Sequence, residues 1–509
     1  MSFFRWDTFV KASQNNTFSR LCPLDIILMK FHNMMQLIEN QFFYIRRFKM
    51  SIGSKLKMSA LALAVQKGLD YLEKDPENNA IKVVDMIEKS VPEGWYTGQI
   101  KAIKGGIEEK GNWYQLVQRI YALDPGVRKT FFTNFIVNAS LKGSVKQQEN
   151  AEKYNCNVPW AVLLDPTSAC NLRCTGCWAA EYGHKLNLSL EDIDSIIKQA
   201  NALGTYMFIY TGGEPLVRKN DLIKICEMHP DCEFLSFTNG TLIDEEFCQE
   251  MLRVKNFVPA ISVEGFEEAN DSRRGEGVYQ KVMNAMALLK EHKLPFGNSI
   301  CYTSRNYSDV SSDEFVDKII EMGSLFVWYF HYMPVGQSAT PELMLNPAQR
   351  TEMYKKIRYF RSTKPIFGLD FQNDGQYVGG CIAGGRKYMH INAKGACEPC
   401  VFIHYSNANI HDMSLLDVLR SPIFQAYHDN QPFNDNHLRP CPMLENPERL
   451  RKLVKETGAV NTDYQDPESV DHLCDKTEAY AAAWKPVADE LWAADQKMRA
   501  EKKAASQTA

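Results

Sequence analysis

The stretch AVLLDPTSACNLRCTGCWAAEYG, residues 161–183, decides how the chain is read. Its first five residues are an apolar run of strand type, stopped by Pro166. A polar loop follows, carrying Cys170, Cys174 and Cys177 in a C-x3-C-x2-C spacing. Three thiols on one short loop after a strand can cap three corners of an iron–sulfur cubane. A structural zinc site and an ordinary electron carrier both want a fourth ligand. Three cysteines leave one iron open, so the site can bind something as well as pass electrons.

Outward from this loop the pattern is strand then helix, repeated. Strand-type runs occur at 161–165, 205–210 (TYMFIY), 233–238 (EFLSFT), 257–263 (FVPAISV), 296–302 (FGNSICY) and 324–330 (SLFVWYF). Amphipathic stretches such as LEDIDSIIKQANAL lie between them. Six such units predict an α/β fold, a partial (β/α)6 TIM-like barrel over residues 155–345. In such folds chemistry gathers at the C-terminal strand ends. Those ends carry YTGGEP (Gly212, Gly213, Glu214, Pro215), SFTNGT (Ser236, Thr238, Asn239) and SVEG (Ser262, Glu264), with Arg273 and Arg274 shortly after. Glycines let backbone approach a ligand closely, and an arginine fork can clamp a carboxylate. The bland reading of the arginines is a solvated loop.

Together these motifs resemble the radical S-adenosylmethionine superfamily. The resemblance implies that Cys170, Cys174 and Cys177 hold a 4Fe-4S cluster whose open iron chelates the methionine part of S-adenosylmethionine. It implies reductive cleavage to a 5′-deoxyadenosyl radical that abstracts hydrogen from substrate. It also implies that GGEP meets the methionine amino group, that the polar strand ends meet methionine and ribose, and that Arg274 holds the carboxylate. MPVGQSA (333–339) resembles the segment that closes the pocket near adenine. Two departures stand out. Gly176 precedes the third cysteine, where the family often has an aromatic residue, and Glu264 stands where Asp is commoner.

A second cysteine set lies downstream. Cys381, Gly395 and Cys400 give C-x13-G-x4-C, and Cys441 follows in RPCPML. This resembles the SPASM domain, in a shortened version with room for one auxiliary 4Fe-4S cluster. Cys381, Cys400 and Cys441 are the preferred ligands. The fourth is Cys397 or Cys474, or the corner is open. Zinc on the Cys397-x2-Cys400 pair and no metal at all are the rival readings.

Around these blocks, residues 1–49 form an N-terminal extension, 50–150 a helical accessory domain, 370–445 the auxiliary domain and 446–509 a helical tail. The extension carries seven basic and three acidic residues, with Ile27, Phe31, Met34, Met35, Ile38 and Phe42 at helical spacing. It reads as a packed helix, as sequence upstream of a start at Met50, or as a membrane-surface helix. A net charge of −4 gives no global field favouring nucleic acid. No 20-residue apolar run appears, and 14 cysteines without a secretory pattern suggest a reducing, cytoplasmic setting, with peripheral membrane contact an option. The expected reductant is a flavodoxin or ferredoxin. The expected substrate is a peptide or protein, with carbon–carbon coupling of lipid acyl chains as the alternative. A non-catalytic iron–sulfur sensor or interaction protein is the reading from another class.

Overall fold

The structure is a computed structural model. It describes residues 108–507 continuously and, before them, only residues 67, 68, 71, 79, 82, 85, 104 and 105 singly. The expectations for the 1–49 extension and for a start at Met50 lie outside the described residues.

The six expected strands form where the apolar runs place them: β1 (Ala161–Leu164), β2 (Met207–Tyr210), β3 (Glu233–Thr238), β4 (Phe257–Ser262), β5 (Gly297–Tyr302) and β6 (Phe326–His331). All are parallel neighbours in chain order. Their residues are buried almost throughout β1 and β2, as a sheet covered on both faces requires. The crossover helix α1 (Leu190–Leu203) begins at a capping box in which Ser189 and Asp192 exchange hydrogen bonds, and it buries Ile193, Ile196, Ile197 and Ala200 on one stripe.

The sheet is larger than the six-strand expectation. Strand β7 (Phe367–Asp370) adds to β6, and β8 (Tyr388–Ile391) pairs in parallel with β1. A short β9 (Cys397–Glu398) then pairs antiparallel with β8. The order is β7-β6-β5-β4-β3-β2-β1-β8-β9, an open sheet whose edges do not meet. The auxiliary region therefore continues the core sheet, beside the strand that feeds the cysteine loop.

Helical residues 112–154 close the opposite end. Arg119 donates to the carbonyls of Pro365, Ile320 and Ser324 at 2.7, 2.9 and 2.6 Å. Asn134 donates to Pro230 and Cys232, and Gln147 to Gly204. Each acceptor precedes a strand, so this layer covers the N-terminal strand ends and leaves the C-terminal rim to the cysteine loop. The C-terminal helix α2 (Val470–Gln507) packs back with Trp484 and Ala488 fully buried.

Candidate active site

The loop bearing Cys170, Cys174 and Cys177 is held from three sides. From the end of β2, Gly213 N–H donates to Thr167 O at 3.0 Å and Glu214 N–H to Ala169 O at 2.8 Å. Beyond β3, Asn239 donates to Asn171 Oδ1 at 2.7 Å, and Asn171 donates to Thr241 Oγ1 at 2.8 Å. After β4, Thr175 N–H meets Arg273 O at 2.9 Å, and the Arg273 side chain returns to Thr175 O at 3.3 Å. The glycine pair has a definite steric reason. A Cβ on Gly213 would lie 2.2 Å from Ala169 O, and one on Gly212, at φ +100°, 2.7 Å from the Asp165 side chain. The GG step is what lets β2 close against the cysteine loop.

Several predicted contact residues turn out to be tied to one another. Glu214 is buried, and its carboxylate accepts from Leu216 N at 3.0 Å, Thr238 Oγ1 at 2.6 Å and Asn239 N at 2.6 Å. Pro215 opens the short turn that follows. Ser236 is buried on β3, and Ser262 sits half-buried at the end of β4. Glu264 is fully buried and accepts from Arg273 at 2.7 Å, from Arg274 Nε at 2.9 Å and from Cys301 N at 3.1 Å. The arginines are therefore not a solvated loop. Their side chains are 14% and 12% exposed, and both lie in the electrostatic neighbourhood of Cys174. Arg274 comes to the cofactor end already paired with Glu264.

Gly176 explains its own departure from the family pattern. It sits at φ +66°, and a Cβ there would fall 2.7 Å from the ring of Tyr332. Tyr332, just past β6, fills the space that a larger residue at 176 would take. Its hydroxyl accepts from Thr340 N at 3.0 Å, which fixes the segment running on from MPVGQSA. Neighbouring His331 is buried and neutral. Burial and Arg350 hold it down to about 3, and its ring meets Tyr332 O and Tyr480 Oη.

The downstream cysteines divide into two kinds. Cys381, Cys400 and Cys441 share one electrostatic neighbourhood. The Sγ of Cys400 accepts from Phe402 N at 3.5 Å, that of Cys441 from Met443 N and Leu444 N at 3.4 Å, and Cys381 from the Ala383 backbone. Cys170 and Cys177 accept in the same way, from Leu172 N at 3.4 Å and from the Ala179 backbone. An N–H aimed at sulfur suits a thiolate. Cys397 and Cys474 also take a backbone N–H, from Ile410 and Arg451, and they differ in donating to carbonyls, to Gly395 O at 3.5 Å and Pro447 O at 3.3 Å. The neighbourhood of Cys397 consists of Glu398 and the Ile410 backbone, so the structure does not bring it to the other three. The Cys441 turn is braced by Glu445, which accepts Cys441 N at 2.8 Å and pairs with fully buried Arg350 at 2.7 Å.

Between the two cysteine sets lies a buried polar chain with no obvious sequence signal. His390 on β8 sits between Asp165 Oδ1 at 2.9 Å and Glu398 Oε2 at 2.6 Å. Tyr182 donates to the same Glu398 oxygen at 2.8 Å and stacks on His404, which meets Asp463 at 2.6 Å. Trp178, next to Cys177, sets its edge against His390 and His404. His411 is separate and partly exposed beside Asp192.

Residues 164–323 match the radical SAM superfamily model, and residues 381–443 match the SPASM iron–sulfur cluster-binding domain. The chain carries a radical SAM domain. The second match ends just past Cys441 and leaves Cys474 outside. Among relatives, the chain is 21% identical over 303 residues to an AdoMet-dependent heme synthase of Methanosarcina barkeri, covering 54% of this chain and 86% of that one. It is 21% identical over 329 residues to the PqqA peptide cyclase of Gluconobacter oxydans, covering 60% and 89%. Crystalline SuiB of Streptococcus suis with S-adenosylmethionine bound has the same fold, at TM-score 0.51 and 20% identity over 65% of this chain and 81% of that one. The radical SAM chain is thus an enzyme with relatives of differing substrates, which sets aside the sensor reading.

The residues fit the cofactors this family uses. The N–H groups pointing at five sulfurs and the glycines packed under the loop suit a thiolate-held cluster. Burial pushes the Cys170 and Cys381 thiols up to about 11 and Cys400 up to about 12, so loading the metal must displace protons. Arg273 and Arg274 supply positive charge beside the loop once its thiolates form. Among the described residues no three His, Cys, Asp or Glu side chains converge tightly enough for a single ion, whereas a cubane spreads its thiolates over separate irons.

Proposed function

We propose that this radical SAM enzyme modifies a peptide or protein substrate, with Cys170, Cys174 and Cys177 holding the S-adenosylmethionine cluster and Cys381, Cys400 and Cys441 an auxiliary one. When bound, the cluster and S-adenosylmethionine supply a 5′-deoxyadenosyl radical for hydrogen abstraction. The chain's own part is to hold the cysteine loop rigid through Gly213, Asn239 and Arg273, and to offer the cofactor the rim formed by Gly212, Ser262 and Arg274. An external flavodoxin or ferredoxin delivers the electron.

The observation that carries the substrate reading is the placement of the second thiol trio. It lies in a domain whose strand β8 joins the core sheet directly beside β1, so both cysteine sets belong to one continuous sheet. The likeness to the PqqA peptide cyclase spans most of that relative and supports the same reading. The likeness to the heme synthase supplies the competitor, a tetrapyrrole. The acyl-chain alternative drew on the N-terminal extension, which lies outside the described residues.

The test is an anaerobic assay of the reconstituted enzyme with dithionite or flavodoxin, offering a peptide library or a porphyrin panel. The reading expects 5′-deoxyadenosine above the uncoupled rate with peptides, together with a mass-shifted peptide. Stimulation by porphyrins alone would reject it.

A further inference from the structure

Beside the second thiol trio stands Tyr427, fully buried, whose hydroxyl has no hydrogen-bond partner among the described residues. A buried hydroxyl left unpaired costs about 1–3 kcal/mol, so such groups usually mark a missing partner. The groups around Tyr427 are Cys381, Cys400, Cys441 and, beyond them, Cys474. The thiol of Cys474 is already committed to Pro447 O.

The phenol is also held in place. Gly384, three residues after Cys381, sits at φ +63°, and a Cβ there would lie 2.4 Å from Tyr427 Cβ. Gly384 N–H donates to Pro399 O at 2.8 Å, which joins the Cys381 loop to the residue before Cys400. Phe433 closes the other side with its ring edge-on at 5.1 Å. Tyr427 therefore packs over the junction of two ligand-bearing loops and cannot swing out. A second tyrosine gives the precedent within this chain, since Tyr388 Oη lies 2.7 Å from Cys400 Sγ.

We propose that Tyr427 donates its hydroxyl proton to a sulfur of the auxiliary cluster held by Cys381, Cys400 and Cys441, acting as a positioning residue that tunes its reduction potential. The inference rests on the auxiliary-cluster reading above. Hydrogen bonds to cluster sulfurs favour the reduced, more negative state and raise the potential. With Tyr388 on Cys400, two phenols would bias this cluster toward accepting an electron. That direction suits a cluster that takes up the electron left on a substrate radical.

The experiment uses the full-length chain carrying Cys170/Cys174/Cys177→Ala, so that any remaining cluster is the auxiliary one. About four irons per chain are expected there. Absence of iron would reject the auxiliary-cluster reading itself. Added to that background, Tyr427→Phe should keep the iron and lower the midpoint potential in an EPR-monitored titration. An unchanged potential, or loss of iron from a folded chain, overturns the proposal. Should Tyr427→Phe not fold, replacing tyrosine by the more acidic 3-fluorotyrosine in the Tyr388→Phe chain decides. The stronger phenol donor should raise the midpoint potential once Tyr388 is gone, and an unchanged potential overturns the assignment.

Discussion

At the residue scale, the site is a set of side chains that mostly bind one another. Glu264 shows the consequence. Its buried carboxylate is the counter-charge for two arginines at once. Removing one partner of a buried pair typically costs about 3–5 kcal/mol. Glu264→Gln should therefore lower the unfolding free energy from urea titration by an amount in that range, less the share screened at the partly exposed arginine ends. It should also loosen the Thr175 clamp, read as iron lost on dilution. Gly213→Ala tests packing alone, because its Cβ would collide with Ala169 O. Overpacking of about 1–3 kcal/mol is expected, with weaker S-adenosylmethionine binding by calorimetry. The cysteine spacing was readable because three thiols with this spacing after a strand have few other uses. The partner of Arg274 was not readable. Nothing local distinguishes an arginine that meets a ligand from one already bound to a glutamate ten residues earlier.

At the element scale, β8 and its His390 join the auxiliary region to the core. Burial alone would lower the His390 pKa, yet the Asp165 and Glu398 carboxylates push it up to about 10. An unfolded histidine titrates near 6.5. The folded-state pKa is raised, so the stabilisation is fully present below about pH 6.5 and is lost as pH rises toward 10. Tyr182 and Trp178 also face this ring, and His404 lies in its electrostatic neighbourhood. Urea midpoints should fall between pH 7 and 9.5, and His390→Gln should flatten that slope. An unchanged slope in the variant would mean that other groups carry it. Strands β1 to β6 could be placed from apolar runs to within about two residues because each is flanked by an amphipathic helix. Strands β7 and β8 were not foreseen. FGLD and YMHI are four residues long, and β8 finds its place through a partner strand more than 200 residues earlier.

At the scale of the whole molecule, the two ends of the open sheet divide the labour. The helices over 112–154 serve the N-terminal strand ends, and the Cys170–Cys177 loop holds the other rim. Arg119→Met would remove the side-chain donor from the Pro365 and Ser324 loop carbonyls, while Ile320 O keeps its bond from Gly323 N. A loss of about 1–3 kcal/mol is expected, with S-adenosylmethionine affinity unchanged. A parallel loss of affinity would show that the helical layer reaches the site. Among the described residues no helix is long and apolar enough to cross a membrane.

In the proposed arrangement two cysteine sets hold two clusters on one sheet. Iron and sulfide per chain, with Mössbauer spectra, test it directly in the anaerobic protein and in the Cys170/Cys174/Cys177→Ala variant. Two cubanes predict about eight irons falling to about four. About four falling to none would contradict the claim, leaving the Cys381, Cys400 and Cys441 trio without a cluster.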